Sequence, residues 1–152
     1  MSNVFTTLGT VLSVVAGKPA SPDEAGYDAL TYAAVGEVGD LGEFGGTREV
    51  PTFTPVDTGV VAKRAGSVNY GTQTLQIARD ASDVGQIALK EGFDGTEAGN
   101  VHSVKLEDRN GNIIYYQAII SSFTYNASSA DTIFGGSIAL AITSKPLPVA
   151  AT

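Results

Sequence analysis

The chain has 152 residues, enough for one domain with a buried core, and it lacks cysteine, which excludes disulfides and thiolate metal sites. Nine Lys and Arg residues face 16 Asp and Glu residues, and the resulting formal charge of −7 argues against docking on nucleic-acid phosphates. No apolar run approaches the roughly 20 residues of a membrane-spanning helix, so we expect no contact with a membrane.

The N-terminal third predicts extended structure interrupted by bends. Residues 5–16 are rich in Val, Thr and Leu, which favours a strand or an extended arm, and the prolines that follow from Pro19 end it. Residues 27–38 fit either a helical face or a short strand with a bulge. Five glycines in residues 36–46 favour a bent strand or a loop over a helix.

The middle of the chain predicts one long strand followed by one helix. Residues 49–66 contain two prolines and two glycines and predict a loop or edge strand. Residues 67–79 alternate like a half-buried strand, with Leu75 and Ile77 on one face. A helix is predicted over residues 81–91, with Asp80 or Ser82 as its N-cap and Gly92 as its end.

The C-terminal third predicts a hairpin and two further elements. Asn110-Gly111 is a strong hairpin turn signal, because both residues tolerate positive φ. The second arm, residues 112–125, is apolar on both faces and should be covered on both. Residues 132–143 predict another strand, and residues 144–152, with two prolines, predict an unpaired extended arm. The chain is therefore predicted to be mainly β, with a single domain over residues 1–152.

The motifs that could carry chemistry are incomplete. Gly17-Lys18 resembles the end of a phosphate loop, but Pro19 stands where the metal-binding hydroxyl should be. Residues 108–112 resemble a calcium loop that lacks its terminal Glu, so a hairpin turn is the better interpretation. His102 is the only histidine, and its place in a predicted strand favours a structural role. We expect no catalytic, cofactor or metal site, and no enzymatic activity.

The order and spacing of several segments resemble the major tail tube proteins of long, non-contractile tailed bacteriophages. The resemblance covers roughly residues 30 to 145. The segments that carry it are Val35-Gly36-Glu37-Val38, Phe44-Gly45-Gly46, residues 64–71, Ile77-Ala78-Arg79-Asp80 and Asp83-Val84-Gly85-Gln86.

The resemblance implies a two-sheet antiparallel β-sandwich or small barrel, flanked by the helix at 81–91, with extended N- and C-terminal arms. It implies a structural virion protein whose hexameric rings stack into a hollow tail tube through which DNA passes. The implied partners are other copies of the chain, with tail terminator, tape measure and distal tail proteins. The location would be the virion tail, after assembly in the host cytoplasm.

Two sets of residues follow from the resemblance by position. Ring stacking is expected from the arms, residues 1–10 and 145–152, and from a loop at residues 46–66. Its candidate residues are Asn3, Val4, Phe5, Phe53, Lys63, Arg64, Pro146 and Leu147. Acidic side chains that face the lumen would repel DNA, and the candidates are Glu37, Asp40, Glu107 and Asp108.

Two alternatives remain open. One is a tube subunit of a gene transfer agent or of a secretion-type injection machine. The other is a small β-sandwich module that binds a ligand, which predicts a concave apolar pocket and no self-association.

Overall fold

The computed structural model describes residues 4–95 and 101–151. Its elements in chain order are β1 (Val11–Ala16), α1 (Glu24–Asp28), β2 (Ala33–Ala34), β3 (Val38–Asp40), β4 (Thr47–Arg48), β5 (Thr52–Phe53), β6 (Ala62–Lys63), β7 (Val68–Asn69), β8 (Thr72–Ala78), α2 (Val84–Asp94), β9 (His102–Glu107), β10 (Ile113–Asn126), β11 (Gly135–Ile142) and β12 (Leu147–Val149). The segment 27–38, which was ambiguous in sequence, contains the end of α1, all of β2 and the start of β3.

The main sheet is antiparallel and has the strand order β2-β1-β9-β10-β11-β8-β3, with β12 also paired to β10. The mainly β fold with one flanking helix of more than two turns is confirmed. Eight strands form one curled sheet. The pairs β4–β7 and β5–β6 form two small, separate two-stranded ribbons. The strands at the two margins, β2 and β3, have only two and three residues.

Strand β10 is the centre of the sheet. Its first half pairs with β9 over residues 113–118, and its second half pairs with β11 over residues 118–126. Tyr115 and Tyr116 are buried, whereas Tyr125 is half exposed. The prediction that both faces of this segment are covered is therefore right for the first half and wrong for the second. The chain itself supplies hydrogen-bonding neighbours to this long strand.

The core lies on one face of the sheet. Because side chains alternate along a strand, every second residue points inward. Helix α2 covers this face with Leu89, which is fully buried. The fully or almost fully buried sheet residues of this cluster are Leu12, Val14, Leu75, Val104, Tyr116, Ala118, Ile138 and Leu140.

The predicted strand at 67–79 is broken in two. Gly71 has a φ of 77°, a left-handed conformation that interrupts the chain between β7 and β8. Beyond the break the predicted alternation holds, because Leu75 and Ile77 are buried and Gln76 is exposed.

Helix α2 begins three residues later than predicted. Its N-cap is Asp83, whose Oδ2 accepts hydrogen bonds from the amides of Gln86 and Gly36, both at 3.0 Å. The prediction of Asp80 or Ser82 as the cap is wrong, since the Asp80 carboxylate instead accepts from Ser82 in the preceding turn.

The predicted end of α2 is also wrong, because the helix continues through Gly92 and ends at Asp94. A side chain at Gly92 would place its Cβ 2.6 Å from Cε1 of the buried His102. Glycine at this position lets the helix pack closely on β9.

Asp83 gives a first test of this packing. Because its carboxylate joins the helix start to Gly36, 47 residues earlier, Asp83→Ala should lower the free energy of unfolding by about 1–2 kcal/mol. Ser82→Ala is the matched control, since its exposed hydroxyl contacts only the neighbouring turn, and it should change stability by less than about 0.5 kcal/mol. Urea denaturation measures both. Equal effects of the two substitutions would contradict the capping role.

The hairpin at Asn110-Gly111 is confirmed. The Gly111 amide donates to the Asp108 carbonyl at 3.1 Å, and Gly111 has a φ of 88°. The C-terminal tail, however, is not an unpaired arm. Leu147–Val149 pairs with Ile113–Tyr115 of β10, so that β12 continues the line of β11 after a kink.

Candidate assembly surfaces

Residues 47–69 form a projecting hairpin. Thr47 and Arg48 pair with Asn69 and Val68 at its base, and Thr52 and Phe53 pair with Lys63 and Ala62 further out. The amide of Gly59 donates to the Pro55 carbonyl at 2.9 Å and closes the turn at the tip. The stacking loop predicted at 46–66 is thus an ordered two-stranded element. At about 3.3 Å per residue, its outward strand spans up to about 30 Å.

The outer part of the projecting hairpin is apolar and exposed. Val56 at the tip is fully exposed, and Phe53 and Val60 are 71% and 69% exposed. Val50 and Val61 are also exposed by about half. Apolar residues concentrated on one projecting element are typical of a protein interaction surface.

The projecting hairpin is also basic relative to the rest of the chain. It contains three of the nine Lys and Arg residues and two of the 16 Asp and Glu residues, a formal charge of +1. The remaining six basic and 14 acidic residues give the rest of the chain a charge of −8. The hairpin and the rest of the chain therefore carry net charges of opposite sign.

An apolar groove of about 640 Å³ lies near the base of the hairpin. It is bounded by the N-terminal segment, the segment between β3 and β4, the β9–β10 hairpin and β12. Its apolar lining includes Phe5, Leu41, Phe44, Leu106, Ile114 and Pro148. Its lining residues come from positions 5 to 150, so only the folded chain brings them together.

A buried polar contact fixes one wall of the apolar groove. Gln73, which is fully buried, donates from Nε2 to the Leu41 carbonyl at 2.7 Å and accepts through Oε1 from the Tyr116 hydroxyl. The Phe44 ring packs on the Tyr116 ring with 4.9 Å between centroids. Burial raises the pKa of Tyr116, which keeps its hydroxyl protonated as a donor. The groove wall is thereby tied to the centre of the core.

The four acidic candidates lie at the ends of two strands. Glu37 directly precedes β3 and Asp40 is its last residue, and both are exposed. Glu37 has a φ of 58°, and the Asp40 carboxylate accepts from the Gly42 amide at 2.7 Å. Glu107 pairs with Lys105 at 3.5 Å. Asp108 lines the apolar groove, and Asp40 directly precedes a lining residue.

Asp108 belongs to the β9–β10 turn. Its Oδ1 accepts from the amides of Asn110 at 2.8 Å and Asn112 at 3.0 Å, and its Oδ2 accepts from the Asn112 side chain at 3.1 Å. Desolvation raises the pKa of the Asp108 carboxyl, but these hydrogen bonds outweigh it and hold the pKa below its usual value.

This lowered pKa predicts a pH dependence of stability. A depressed folded-state pKa contributes stability above the unfolded pKa of about 4, and that contribution is lost as the pH falls through the folded pKa. Wild type should therefore lose more unfolding free energy from about pH 5 to pH 3 than Asp108→Asn does. Denaturant titrations at each pH measure the difference. Asp57→Asn, at the exposed hairpin tip, controls for the loss of one carboxylate, and an identical pH slope in wild type and Asp108→Asn would refute the prediction.

An aromatic patch occupies the far end of β10 and β11. Tyr125 packs against Phe123 and Phe134, with centroid separations of 5.5 and 6.4 Å. The Arg79 guanidinium lies 5.5 Å from the Tyr125 centroid and 5.8 Å from the Phe134 centroid. The neighbouring Ile133 is 76% exposed. The cavity beside this second exposed apolar surface is lined by two cations, Arg79 and Lys90, and by two carboxylates, Asp80 and Glu91.

Within residues 4–95 and 101–151, no group of three or more His, Asp or Glu residues could hold a metal ion. No helix of that same part of the chain has the length and apolar character needed to cross a membrane. His102 is buried in β9.

The fold has counterparts in three solved assemblies. A chain in the cryo-EM structure of the anti-feeding prophage (AFP) baseplate, 6-fold symmetrised, aligns with a TM-score of 0.74 at 9% identity, over 98% of this chain and 97% of that one. The fold is shared with subunits of tail-like particles.

Two further structures agree. A chain of an extracellular contractile injection system, the PVC sheath/tube terminator in the extended state, gives a TM-score of 0.68 at 12% identity, over 98% and 99% of the two chains. A chain from the tail of an empty GTA particle, computed with C6 symmetry, gives 0.63 at 14% identity, over 92% and 95%. No protein-family model matches the sequence, and no curated protein matches it.

The predicted stacking residues fall into three places. Phe53, Lys63 and Arg64 lie on the projecting hairpin, and Phe5 lines the apolar groove. Val4 is 89% exposed, Pro146 and Leu147 are half-buried at β12, and Asn3 lies outside the described residues. Sequence reasoning missed the groove residues Leu41, Phe44 and Ile114. The signal available for the first two was a pair of large apolar residues inside a glycine-rich run.

Proposed function

We propose that this chain is a structural subunit of a phage-like tail or injection particle and that it polymerises into a hollow tube by the stacking of rings. The projecting hairpin carries this proposal, because an isolated protein gains nothing from about five large apolar side chains held in water. The likeness in fold over nearly the whole length of three tail-particle chains supports it. The same likeness supports a structural and non-enzymatic role.

The finer proposal is a ring of six copies, as in the tail tube of a long, non-contractile phage tail. The six-fold symmetry stated for the AFP baseplate and the GTA tail supports that number. Tail terminator, tape measure and distal tail proteins would be the partners at the ends of the tube and inside it. The location would be the virion tail, after assembly in the host cytoplasm.

In this proposal DNA passes through the lumen without specific binding. The chain's charge of −7 supports this, because like charge on the wall would repel phosphates. Glu37 and Asp40 are the better lumen candidates, since both are exposed at a margin of the sheet. Glu107 and Asp108 already have partners within the chain.

The N-terminal arm provides the test. Deleting residues 2–10 should leave a folded subunit that forms rings or short species but no long tubes, because residues 4–9 are exposed and lie outside the sheet. Negative-stain microscopy of concentrated wild type and deletion protein measures assembly, and circular dichroism measures folding. A wild type that stays monomeric at every concentration would overturn the proposal, and an unfolded deletion variant would make the arm part of the core.

The apolar groove supports a second candidate, a small ligand-binding module, because about 640 Å³ lies within the range of small-molecule pockets. That function predicts a monomer that binds a small apolar dye with one-to-one stoichiometry. Analytical ultracentrifugation separates the two candidates.

A further inference from the structure

We propose that Asn110 is the chain's site of spontaneous deamidation and that Asp108 keeps this site closed while the subunit is folded. The proposed function makes no use of the Asn110-Gly111 turn, and the chemistry of that turn does not depend on assembly. Water is the co-reactant, and ammonia is the group that is lost.

The sequence supplies the reactive pair. Deamidation begins when the backbone nitrogen of the following residue attacks the carboxamide carbon of an asparagine side chain. A side chain on that following residue hinders the attack, and glycine has none. The chain has six asparagines, and glycine follows only Asn110. The other five precede Val, Tyr, Ile or Ala, so they should react more slowly.

The reaction balances with these groups and water. The Gly111 nitrogen loses its proton to solvent and forms a bond to Cγ of Asn110. The bond between Cγ and Nδ2 breaks, and the nitrogen leaves as ammonia after it takes up a proton. The product is a succinimide ring. Water then opens the ring at either carbonyl carbon, which leaves aspartate or isoaspartate at position 110.

Solvent reaches the reactive pair. Asn110 is exposed, and Gly111 is half-buried at the turn between β9 and β10. Across residues 4–95 and 101–151, no hydrogen bond holds the Asn110 carboxamide, so the carboxamide is able to rotate toward the backbone. Neither burial nor a side-chain partner therefore prevents the reaction.

The hydrogen bonds of the turn oppose ring closure instead. The Gly111 amide, whose nitrogen must attack, donates its proton to the Asp108 carbonyl at 3.1 Å. Oδ1 of Asp108 accepts from the amides of Asn110 at 2.8 Å and Asn112 at 3.0 Å, which fixes the backbone on both sides of Gly111. Ring closure must rotate this backbone, so it requires the turn to open. Asp108 is therefore a positioning residue that slows the reaction.

Deamidation rates in folded and unfolded protein test the protection. Subunits are incubated at one mildly alkaline pH with and without concentrated urea, and peptide mass spectrometry follows the exchange of NH2 for OH at each asparagine. Asn110 should be the fastest site in urea and should react at least about tenfold more slowly in the native protein, because the turn must open first. Exposed Asn126 is the internal reference. Equal native and urea rates at Asn110, or a faster site elsewhere in urea, would overturn the inference.

Substitutions of Asp108 test which residue closes the site. Asp108→Ala removes the carboxylate acceptor, so the native rate at Asn110 should rise about tenfold. Asp108→Asn keeps an oxygen that is able to accept from the same amides, and its rate should stay within about twofold of wild type. Asp57→Ala removes a carboxylate at the exposed hairpin tip and should leave the rate unchanged.

Circular dichroism checks that each variant is folded. A folded Asp108→Ala that reacts at the wild-type rate contradicts the role of Asp108, and so does an Asp108→Asn that reacts as fast as Asp108→Ala. If Asp108→Ala does not fold, the ratio of native to urea rates in wild type and in Asp108→Asn decides the inference.

The position of the turn links this chemistry to assembly, a step that rests on the proposed function. Oδ1 of Asn112, directly after the reactive pair, accepts from the Ala151 amide at 2.9 Å and holds the C-terminal segment. A Cβ added to Gly9 would lie 3.1 Å from the Cβ of Arg109, so the N-terminal segment also lies against the turn. Isoaspartate at position 110 lengthens the backbone by one methylene group, which should disturb both contacts.

Ion-exchange chromatography separates modified from unmodified subunits of the same age, because the product carries an additional negative charge. Modified subunits should form fewer sedimenting tubes than unmodified ones. Equal sedimentation of the two fractions would overturn the link to assembly. Wild type that forms no tubes would overturn the proposed function, whereas the deamidation rates of the subunit would still decide the assignment of Asn110 and Asp108.

Discussion

Replacing residues 49–67 with Asn-Gly is expected to abolish tube formation while leaving the subunit folded. The two new residues would close a tight turn directly on the β4–β7 pair, Thr47–Asn69 and Arg48–Val68. The segment removed pairs through β5 and β6 within itself, and its apolar side chains are exposed, so the core loses little. We expect the free energy of unfolding to change by less than about 1 kcal/mol. Assembly should fall below detection by sedimentation and electron microscopy.

Phe53→Asp in the intact hairpin distinguishes the effect of the hairpin's length from the effect of its apolar side chains. It keeps the reach of the hairpin and places a carboxylate among its apolar side chains, so it should also prevent stacking. Tubes formed by the shortened variant would show that the hairpin is dispensable and that another surface joins the copies. Loss of the folded state in that variant would show that the hairpin stabilises the core.

The second large effect is expected at the buried contact between Gln73 and Tyr116. Gln73→Leu would leave the Tyr116 hydroxyl and the Leu41 carbonyl without their buried partner. Each such group costs about 1–3 kcal/mol, so we expect a loss of about 2–5 kcal/mol in the free energy of unfolding. Tyr116→Phe would leave Oε1 of Gln73 without its hydrogen-bond donor and should lower the free energy of unfolding by about 1–3 kcal/mol.

The double substitution is the decisive measurement. With both partners apolar, the pair Gln73→Leu/Tyr116→Phe should be less destabilised than the sum of the single variants by about 1 kcal/mol or more. Guanidinium denaturation of the four proteins completes the cycle. Strict additivity would mean that the two side chains are not energetically coupled.

Local signals in the sequence predicted much of the fold. The sequence Asn110-Gly111 predicted the turn, because only a few residue types tolerate positive φ. The period-two alternation of residues in β8 predicted the burial of Leu75 and Ile77. The same alternation puts Gln73 on the buried face, although a polar residue at this position does not by itself indicate burial. The helix was found, but three nearby residues could cap it, and the contact of Asp83 with distant Gly36 decided among them.

Other features depend on contacts that a sequence does not display. Pro146 and Pro148 argued against pairing of the tail, yet Pro148 lies opposite Ile114 in β12, a strand joined to the sheet through β10. A proline is tolerated where one edge of a strand needs no donor. The apolar groove draws its lining from both ends of the chain and from its middle, so no local pattern indicates it.

The two- and three-residue strands at the margins of the sheet have a mechanical consequence. They offer few free backbone N–H and C=O groups with which a strand of a neighbouring copy could pair. The copies of a shaft must therefore be held together mainly by side-chain contacts. Joints of that kind can part and reform without unfolding either unit. We therefore expect a filament of this protein to flex and to shed layers reversibly, with each building block surviving intact.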